Sequence, residues 1–447
     1  MNSCKFIPIA LLFSLIFFSC QSGATKAKPV HSDTIGYVAP IPGNISPEDY
    51  KMYHTAVENY YEKYLIGRGF NGGILVAKNG NVIFESYHGF YDLHKKDTLN
   101  KHSAFHLASV SKTFTAMATL KLAEMGKLSL DDNVKKYFPA FPYDGVTIKL
   151  LLSHRSGLPN YIYFMEKLGW NKKQYCSNQD MLDYMIKYKP PMAGIPGTHF
   201  TYCNTNYALL GLIIEKASGQ SYADFLKQYI FKPLQMDDTY VFTMADSATA
   251  MPSYDWRGRQ EGLTYLDTGF GDKNIYSTPE DLFKWDQALY NNQIFSKETL
   301  QAAFTPYSNE KRGIRNYGYG WRMNVYPDGK KVIYHNGWWH GSNTVFIRMI
   351  QDSVTIIVLG NKFNKSIYES KKIAEIFVPG YRMVDDEKGV ASKEDSVTNE
   401  TSHAPVAAKK IHHHTSAKKM HHLATAPKKH HPAKKIIAKK QVKKRRK

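Results

Sequence analysis

The sequence predicts an α+β fold (an α/β sandwich), in which helices flank an antiparallel sheet and a mainly helical region is inserted. Two observations lead to this prediction: strand-like segments lie near both ends of the central part of the chain, and long segments with helical periodicity lie between them. The 447 residues are 43% hydrophobic, which is enough to bury a substantial core. We expect a leader at 1–20, a tether at 21–45, a folded domain at 46–380 and a disordered tail at 381–447.

The leader resembles a bacterial export signal. Lys5 supplies a positive charge, and the apolar stretch at 6–18 is too short for a normal transmembrane helix. The Ser19-Cys20 pair that follows is similar to a lipobox, in which the cysteine is lipidated. We therefore expect an exported lipoprotein, anchored through Cys20 in the cell envelope (periplasmic or outer-membrane); plain secretion and a buried helix are the alternatives. One lipid would tether the domain and leave it solvated.

The folded domain is expected to begin with a helix. Ser46 is a suitable cap and Pro47 suits the first helical position. Apolar and aromatic residues then recur at helical spacing until Gly67 ends the pattern.

Strand signals lie on either side of the helical middle. Segments 73–77 and 82–84 read as a strand pair, and Asn-Gly between them favours a tight hairpin turn. Segments 344–348 and 354–359 read as further strands, followed by a last helix at 366–377.

Positive charge is concentrated in the tail. The chain has a formal net charge of +20, but residues 401–447 contain fifteen Lys and Arg and no acidic residue. Removing these from the 59 basic residues leaves 44 against 39 acidic ones, a net charge of +5, which argues against nucleic acid as a partner of the folded domain. The tail alternates lysine pairs with histidine clusters and has no aromatic residue for base stacking. Contact with anionic surfaces and capture of transition metals are its functional interpretations, and a solvated charge run is the plain one.

The first candidate for chemistry is Ser109-Val-Ser-Lys112, which opens an apolar helical pattern that ends before Gly126. Ser109 and Lys112 would lie on neighbouring ridges of the first turn. The positive end of a helix stabilises a developing alkoxide, and a neutral amine one turn away can accept the hydroxyl proton. Taken alone, a Ser-x-x-Lys pattern is more often a solvated helix start.

The second candidate is Tyr202-Cys-Asn204, which precedes another apolar helical pattern. Residues two apart can project from one extended segment toward a cleft. A phenol can relay a proton, and an amide can hold a substrate carbonyl. An aromatic residue next to a helix cap is the plain interpretation.

The third candidate is His335-Asn-Gly337-Trp-Trp339, expected just before a strand. A glycine on an edge strand lets a substrate approach the backbone closely, and the next amide can serve an oxyanion hole. The two tryptophans favour an apolar or aromatic acyl group, although core packing explains them equally well. A glycine-containing turn is the plain interpretation of the motif.

In this order the three motifs resemble the catalytic set of the serine β-lactamase and penicillin-binding-protein superfamily. The segment His154-Arg-Ser-Gly-Leu-Pro159 is similar to a stretch of the class C-like branch, as are the helix after Asn204 and Ser277-Thr-Pro-Glu-Asp281. The resemblance covers about residues 47–380. It implies a β-lactamase-related serine hydrolase with a β-lactamase/transpeptidase-like fold.

The resemblance also implies roles for individual residues. Ser109 would be the nucleophile, Lys112 its base and Tyr202 the proton relay. Substrate-binding or oxyanion roles would fall to Asn204, His335, Gly337 and Trp338, with the amides of Ser109 and Trp338 forming the oxyanion hole. The implied reaction passes through an acyl-enzyme on Ser109 that water resolves, with no cofactor and no metal.

The third motif departs from the β-lactamases proper. His335-Asn336-Gly337 stands where the antibiotic-destroying members carry Lys-Thr-Gly, and a neutral imidazole attracts a carboxylate only weakly. Esterase-like and D-aminopeptidase-like branches carry histidine there. We therefore expect small esters or amides as substrates. The alternatives are a cell-wall D-Ala-D-Ala carboxypeptidase or D-amino-acid peptidase acting on peptidoglycan-type peptides, a β-lactamase, and a non-catalytic surface binding protein.

Two cysteines lie within the folded domain, Cys176 and Cys203. An exported protein can join such a pair, but the sequence gives no distance between them. Two separate, partly buried thiols is the favoured interpretation.

Overall fold

Residues 38–384 are the part of the chain that the structure, a computed structural model, describes. The strands are β1 (Gly72–Lys78), β2 (Asn81–His88), β3 (Phe90–Asp92), β4 (Asp97–Thr98), β5 (Phe105–His106), β6 (Tyr240–Val241), β7 (Ser253–Tyr254), β8 (Gln260–Glu261), β9 (Ile275–Ser277), β10 (Arg315–Tyr317), β11 (Arg322–Val325), β12 (Lys331–Trp339), β13 (Ser342–Met349) and β14 (Val354–Gly360). The helices are α1 (Pro47–Tyr60), α2 (Ser111–Glu124), α3 (Ile148–Leu152), α4 (Tyr161–Lys167), α5 (Asn178–Tyr188), α6 (Asn204–Ser218), α7 (Tyr222–Leu226), α8 (Pro279–Ala288), α9 (Lys297–Ala303), α10 (Ser366–Glu369) and α11 (Ala374–Phe377). The predictions for the leader, for Cys20 and for the tail beyond residue 384 lie outside these residues.

A seven-stranded sheet of order β10-β11-β12-β13-β14-β1-β2 runs through the domain. Every neighbouring pair in it is antiparallel. Strands from the two ends of the domain meet at its centre, where Gly72 pairs with Gly360 and Lys78 with Val354. The antiparallel sheet predicted from the sequence is confirmed.

The two faces of the sheet belong to two hydrophobic cores. Along β1 the side chains alternate between them, since Ile74 lies in one core and Leu75 in the other. One core packs the sheet against the terminal helices, with Val57 of α1 and Phe377 of α11 among its members. The other packs the opposite face against α8, which contacts β1 and β14, and it also holds the interior of the helical middle. Helices therefore cover both faces, as the sandwich prediction requires.

The helical middle is organised around α6. This helix contacts α2, α3, α4, α5 and α7, and its residues from Asn204 to Ile214 are all buried. A helix that is apolar on all sides is typical of a domain interior. The packing of α2 against α6 brings the first and second candidate motifs into the same region.

A buried ion pair joins α8 to the sheet. Arg348 of β13 and Asp286 of α8 are both fully buried, and the guanidinium Nε bonds one carboxylate oxygen. Thr355 of β14 donates to the other carboxylate oxygen at 2.6 Å. The Arg348 guanidinium also lies 4.6 Å from the ring centroid of Tyr290. The two charges lie opposite each other in a fully buried position, and such pairing is the condition for burying them.

The helix cap and the hairpin turn predicted from local sequence patterns are present, and the end of the first helix differs slightly from its predicted position. The Ser46 side chain accepts from the Asp49 amide at 3.0 Å, as expected of a cap. The first helix continues through π and 3-10 turns to end at Gly69 (φ +75°), two residues beyond the predicted stop at Gly67. The hairpin turn has positive φ at Asn79 (+51°) and Gly80 (+76°), as the Asn-Gly pair predicts.

The last helix is less regular than its sequence indicates. It is divided into α10, a 3-10 turn at Ser370–Ile373, and α11.

Cys176 and Cys203 are both free and buried. Within residues 38–384, no helix is both long and apolar enough to cross a membrane.

Candidate active site

Ser109 lies in a 3-10 turn, Ala108–Val110, that leads directly into α2. Its side chain is half-buried, and its Oγ accepts hydrogen bonds from Lys112 Nζ at 3.0 Å and from the Tyr202 hydroxyl at 2.9 Å. Ala108, the preceding residue, has a φ of +48°, a left-handed conformation that L-residues adopt rarely. The hydroxyl therefore sits at the positive end of a 14-residue helix, held by a turn of unusual geometry.

Lys112 is fully buried in the first turn of α2. Besides Ser109, its Nζ donates to the backbone carbonyl of Asp272 at 2.7 Å. The amine is therefore held by two neutral oxygens, one of which is the Ser109 hydroxyl at proton-transfer distance.

Tyr202 comes from the extended segment before α6, and its neighbours in the chain are fixed by His154. The backbone carbonyl of His154 accepts from the Thr201 amide at 2.8 Å, and its imidazole Nδ1 accepts from the Cys203 amide at 3.2 Å. The imidazole lies 4.4 Å from the Tyr202 ring, centroid to centroid. Burial, and after it the positive charge of Lys112, holds the pKa of His154 well below its usual value, so this contact is made by a neutral ring.

Asn204 stands differently from its sequence-based expectation. It is the first residue of α6 and not part of the extended segment that carries Tyr202. It is 5% exposed, and the helix start is tied to the 154–161 loop through Thr205, whose hydroxyl donates to the Pro159 carbonyl at 2.7 Å. Asn204 and Tyr202 are two positions apart, but the backbone of Asn204 is helical and that of Tyr202 is not.

The third motif lies within β12 and not before a strand. The pairing of β11 with β12 ends at Arg322 and Tyr334, so residues 335–339 extend beyond the neighbouring strand and form a local edge. A Cβ at Gly337 would lie 2.4 Å from the Leu107 carbonyl oxygen and 3.0 Å from the Ala108 Cβ. Only glycine therefore allows β12 to approach the turn that carries Ser109 this closely. Trp338, the next residue, is half-buried on this edge.

His335 is fully buried and faces other side chains. Its Nε2 lies 3.3 Å from the Tyr317 hydroxyl, and its Nδ1 lies 2.7 Å from the Asn336 carbonyl oxygen. Burial, followed by the positive charges of Arg322 and Lys112, holds the pKa of His335 well below its usual value. A substrate could contact this imidazole only by displacing its neighbours, so its predicted substrate-binding role stays a prediction.

The sequence analysis did not predict that residues 272–274, the segment directly before β9, form one side of the site. Asp272 accepts from Lys112 through its backbone, and its carboxylate accepts from the Tyr161 hydroxyl at 3.0 Å. Lys273 is 3% exposed, with its amine bonded to Tyr161 and 4.7 Å from the ring centroid of Trp339. The available signal was a pair of charged residues, Asp272 and Lys273, between Gly271 and the apolar strand β9.

A cavity of about 530 Å³ lies beside this segment. Its lining includes His106, Trp339 and His340. The Asp267 carboxylate accepts from the Trp339 indole at 2.5 Å and lies 3.0 Å from the His340 imidazole. Burial lowers the pKa of His340, but the charge of Asp267, its hydrogen bond to the ring and the charge of Glu261 together outweigh burial and raise the pKa. Among the described residues, no group of three or more His, Cys, Asp or Glu side chains is arranged to hold a metal ion.

The sequence matches the family model described as Beta-lactamase over residues 57–376. The chain belongs to the beta-lactamase family. The matched segment contains Ser109, Lys112 and Tyr202, the three side chains that share one hydrogen-bond cluster, together with the β12 edge next to them.

Named relatives of this beta-lactamase-family chain include Penicillin-binding protein 4* of Bacillus subtilis (strain 168). It is 36% identical over 335 residues, which are 71% of this chain and 73% of that protein. The structure of the octameric penicillin-binding protein homologue from Pyrococcus abyssi matches with a TM-score of 0.63 at 26% identity, covering 72% of this chain and 77% of that one. A D-stereospecific amidohydrolase from Streptomyces sp. matches with a TM-score of 0.57, covering 75% of this chain and all (100%) of that one. At 21% identity it shows a shared fold alone.

These similarities confirm the family expected from the three motifs and the α+β class expected from the strand and helix signals. The chain is a beta-lactamase-family serine hydrolase with penicillin-binding-protein homologues. Its substrate is a separate question, which depends on the geometry around Ser109.

Proposed function

We propose that this chain hydrolyses esters or small amides through an acyl-enzyme on Ser109. The observation that carries the proposal is the convergence of two proton-bearing groups on one nucleophile: Lys112 Nζ lies 3.0 Å and the Tyr202 hydroxyl 2.9 Å from Ser109 Oγ. Both distances are within the reach required for general acid–base catalysis.

The reaction follows from these contacts. Ser109 Oγ attacks the carbonyl carbon and passes its proton to the cluster of Lys112 and Tyr202, with Lys112 in its neutral form. The oxygen–carbon bond forms, and the carbonyl oxygen takes up the negative charge beside the amides of Ser109 and Trp338. Tyr202 then protonates the leaving alcohol or amine as the scissile bond breaks. Water attacks the acyl-enzyme with the same groups taking its proton, which releases the acid and restores Ser109.

The experiment is an intact-mass measurement on the protein mixed with an aryl ester, with wild type and Ser109→Ala compared. We expect a transient mass increase equal to the acyl group, with turnover of the ester, in wild type alone. Equal turnover by Ser109→Ala would contradict the proposal. Folded wild-type protein that neither forms an adduct nor turns over any tested substrate would favour the non-catalytic binding protein.

A second candidate function is cleavage of D-amino-acid peptides such as those ending in D-Ala-D-Ala. It is favoured by the 36% identity to Penicillin-binding protein 4* and by the fold shared with a D-stereospecific amidohydrolase. Release of D-alanine from a D-Ala-D-Ala peptide, with no release from the L-Ala-L-Ala peptide, would support it. Rates on the peptide and on the ester decide between the two candidates.

We expect β-lactams to acylate Ser109 and to be cleared slowly. The position that carries lysine in antibiotic-destroying members is the buried, neutral His335, so it offers no cation to a substrate carboxylate. Fast hydrolysis of a cephalosporin would reverse this ranking and favour a β-lactamase.

We further propose that the domain is held in the cell envelope through a lipid on Cys20. The support is the leader pattern, a positive charge and a short apolar run followed by Ser19-Cys20. Full-length protein should partition with membranes and carry the mass of a lipid, and Cys20→Ala should lose both. Membrane association retained by Cys20→Ala would contradict the proposal.

A further inference from the structure

We propose that His106 is a positioning residue for the nucleophile, which it fixes by holding the backbone of Ala108. This inference rests on the proposed function, because it concerns the placement of Ser109. The contact that links His106 to the nucleophile turn is its bond to the Ala108 amide, so we infer that it acts through this turn.

The hydrogen bonds of His106 define a single protonation state. Its Nδ1 accepts from the Ala108 amide at 3.1 Å, and its Nε2 lies 2.8 Å from Asn274 Oδ1. The amide nitrogen of Asn274 donates to the backbone carbonyls of Asp267 and Gly269 at 2.8 and 2.7 Å, so Asn274 Oδ1 is left to accept. The imidazole is therefore neutral, with its hydrogen on Nε2.

The turn needs this support because it is strained. Ala108 has a φ of +48° and no polar side chain that could stabilise such a conformation. Its neighbour Leu107 is held by other partners: the Leu107 amide donates to the Ile275 carbonyl at 2.8 Å, and the Leu107 carbonyl accepts from Thr344 at 2.9 Å. The bond from Ala108 to His106 is the anchor at the residue directly before Ser109.

The surroundings of His106 keep it neutral. It is 6% exposed, the Tyr276 ring packs against it at 5.0 Å, and the charged groups that face it are Asp267, His340 and Lys273. Burial, only partly offset by the Asn274 bond, lowers the pKa of His106 to about 4. A proton on Nδ1 would point at the Ala108 amide and end the bond, so the positioning operates only above this pH.

Three substitutions test the inference with an aryl ester. His106→Phe keeps the ring and removes both bonds. His106→Asn places an acceptor where Nδ1 lies, next to the Ala108 amide. His106→Gln reaches the Nε2 position and not Ala108. Phe105→Leu, at the fully buried neighbour in β5, is the matched control for lost packing.

We expect His106→Phe and His106→Gln to lose kcat by roughly 10- to 100-fold with little change in KM, since a misplaced nucleophile costs rate and not binding. His106→Asn should recover most of the kcat. Phe105→Leu should lower Tm with kcat close to wild type when it is measured well below Tm.

Three results would overturn the inference: wild-type kcat in folded His106→Phe, equal kcat in the Asn and Gln variants, or a matching kcat loss in Phe105→Leu. If the Phe variant does not fold, the comparison of Asn with Gln decides. Turnover retained by Ser109→Ala would instead remove the proposed function itself. An inactive Ser109→Ala beside a fully active His106→Phe would remove this inference alone.

Discussion

Lys112 and Tyr202 converge on a single oxygen, and the Lys112 Nζ lies 5.0 Å from the centroid of the Tyr202 ring. Both groups are placed as donors to Ser109 Oγ. In the reactive state one of them must instead accept the serine proton, which requires that it has first lost its own. The pair therefore works as a unit, and removing either member should be costly.

The first prediction concerns the phenol. Tyr202→Phe keeps the ring and removes only the hydroxyl, so we expect kcat/KM for an aryl ester to fall roughly 100- to 10,000-fold, the range for a general acid–base group. Tyr60→Phe is the matched control, because it removes a hydroxyl that donates to the Glu369 carbonyl at 2.7 Å in the other hydrophobic core. Equal losses of kcat/KM in the two variants would show that the loss does not come from a role of the Tyr202 hydroxyl in catalysis.

The second prediction concerns the close approach of β12 to the nucleophile turn. A Cβ on Gly337 would lie 2.2 Å from Thr344 Oγ1 and 2.4 Å from the Leu107 carbonyl oxygen, so Gly337→Ala must push the strand away. We expect a folded protein with kcat reduced roughly 100-fold, in line with a displacement of about 1 Å at a catalytic group. Gly194→Ala, where a Cβ meets nothing within 4 Å, should stay close to wild type.

The third prediction concerns acid stability. Burial is the first cause that lowers the pKa of His106 (to about 4) and of His154 and His335 (well below 6.5). In the unfolded chain these rings take up protons below about pH 6.5, so there the unfolded state binds more protons than the folded one. The free energy of unfolding should therefore fall as pH falls from about 6.5 toward 4, by up to about 1.4 kcal/mol per pH unit for each histidine.

Urea unfolding at a series of pH values measures this slope. His340, whose pKa is raised, works in the opposite direction: its contribution is present at low pH and is lost as pH rises. His154→Gln should flatten the slope by about one proton. A stability that does not vary between pH 6.5 and 4.5 would contradict the prediction.

The fourth prediction concerns the ion pair between β13 and α8. Asp286→Ala leaves the fully buried Arg348 without its carboxylate, which should lower the free energy of unfolding by about 3–5 kcal/mol. Replacing both residues with Met and Leu should recover much of this loss, because an apolar pair needs no compensation. Urea unfolding of the two single variants and the double variant gives the coupling energy between Asp286 and Arg348. Losses of stability that simply add in the double variant would contradict the prediction.

Features that depend on neighbouring residues could be predicted from the sequence, whereas contacts between residues far apart in the chain could not be predicted from local patterns. The Ser46 cap and the Asn79-Gly80 turn were predictable, because a few neighbouring residues determine them. The pairing of Ser109 with Tyr202 came from a resemblance of motifs and not from local pattern. Nothing local marked His335 as buried, since alternation along a strand assigns residues to two faces without saying which groups cover each face.

The missed residues share a physical explanation. Each makes a contact with a backbone atom at one end: the His106 imidazole accepts from the Ala108 amide, and the Asp272 carbonyl accepts from Lys112. Such a contact joins no characteristic pair of side chains, so no sequence motif indicates it. Asn204, by contrast, begins α6 and does not lie in the extended segment expected from the sequence, because a helix start and an extended segment both suit asparagine.

The nucleophile turn is built from segments that lie far apart along the chain. Tyr202 and Ser109 are separated by 93 positions, Asp272 and Lys112 by 160, and Thr344 and Leu107 by 237. The hydrogen-bonded arrangement around Ser109 therefore requires all of these segments to be in place together. We therefore expect turnover, if the proposed function holds, only after the whole domain has folded, so that activity can serve as a measure of complete folding.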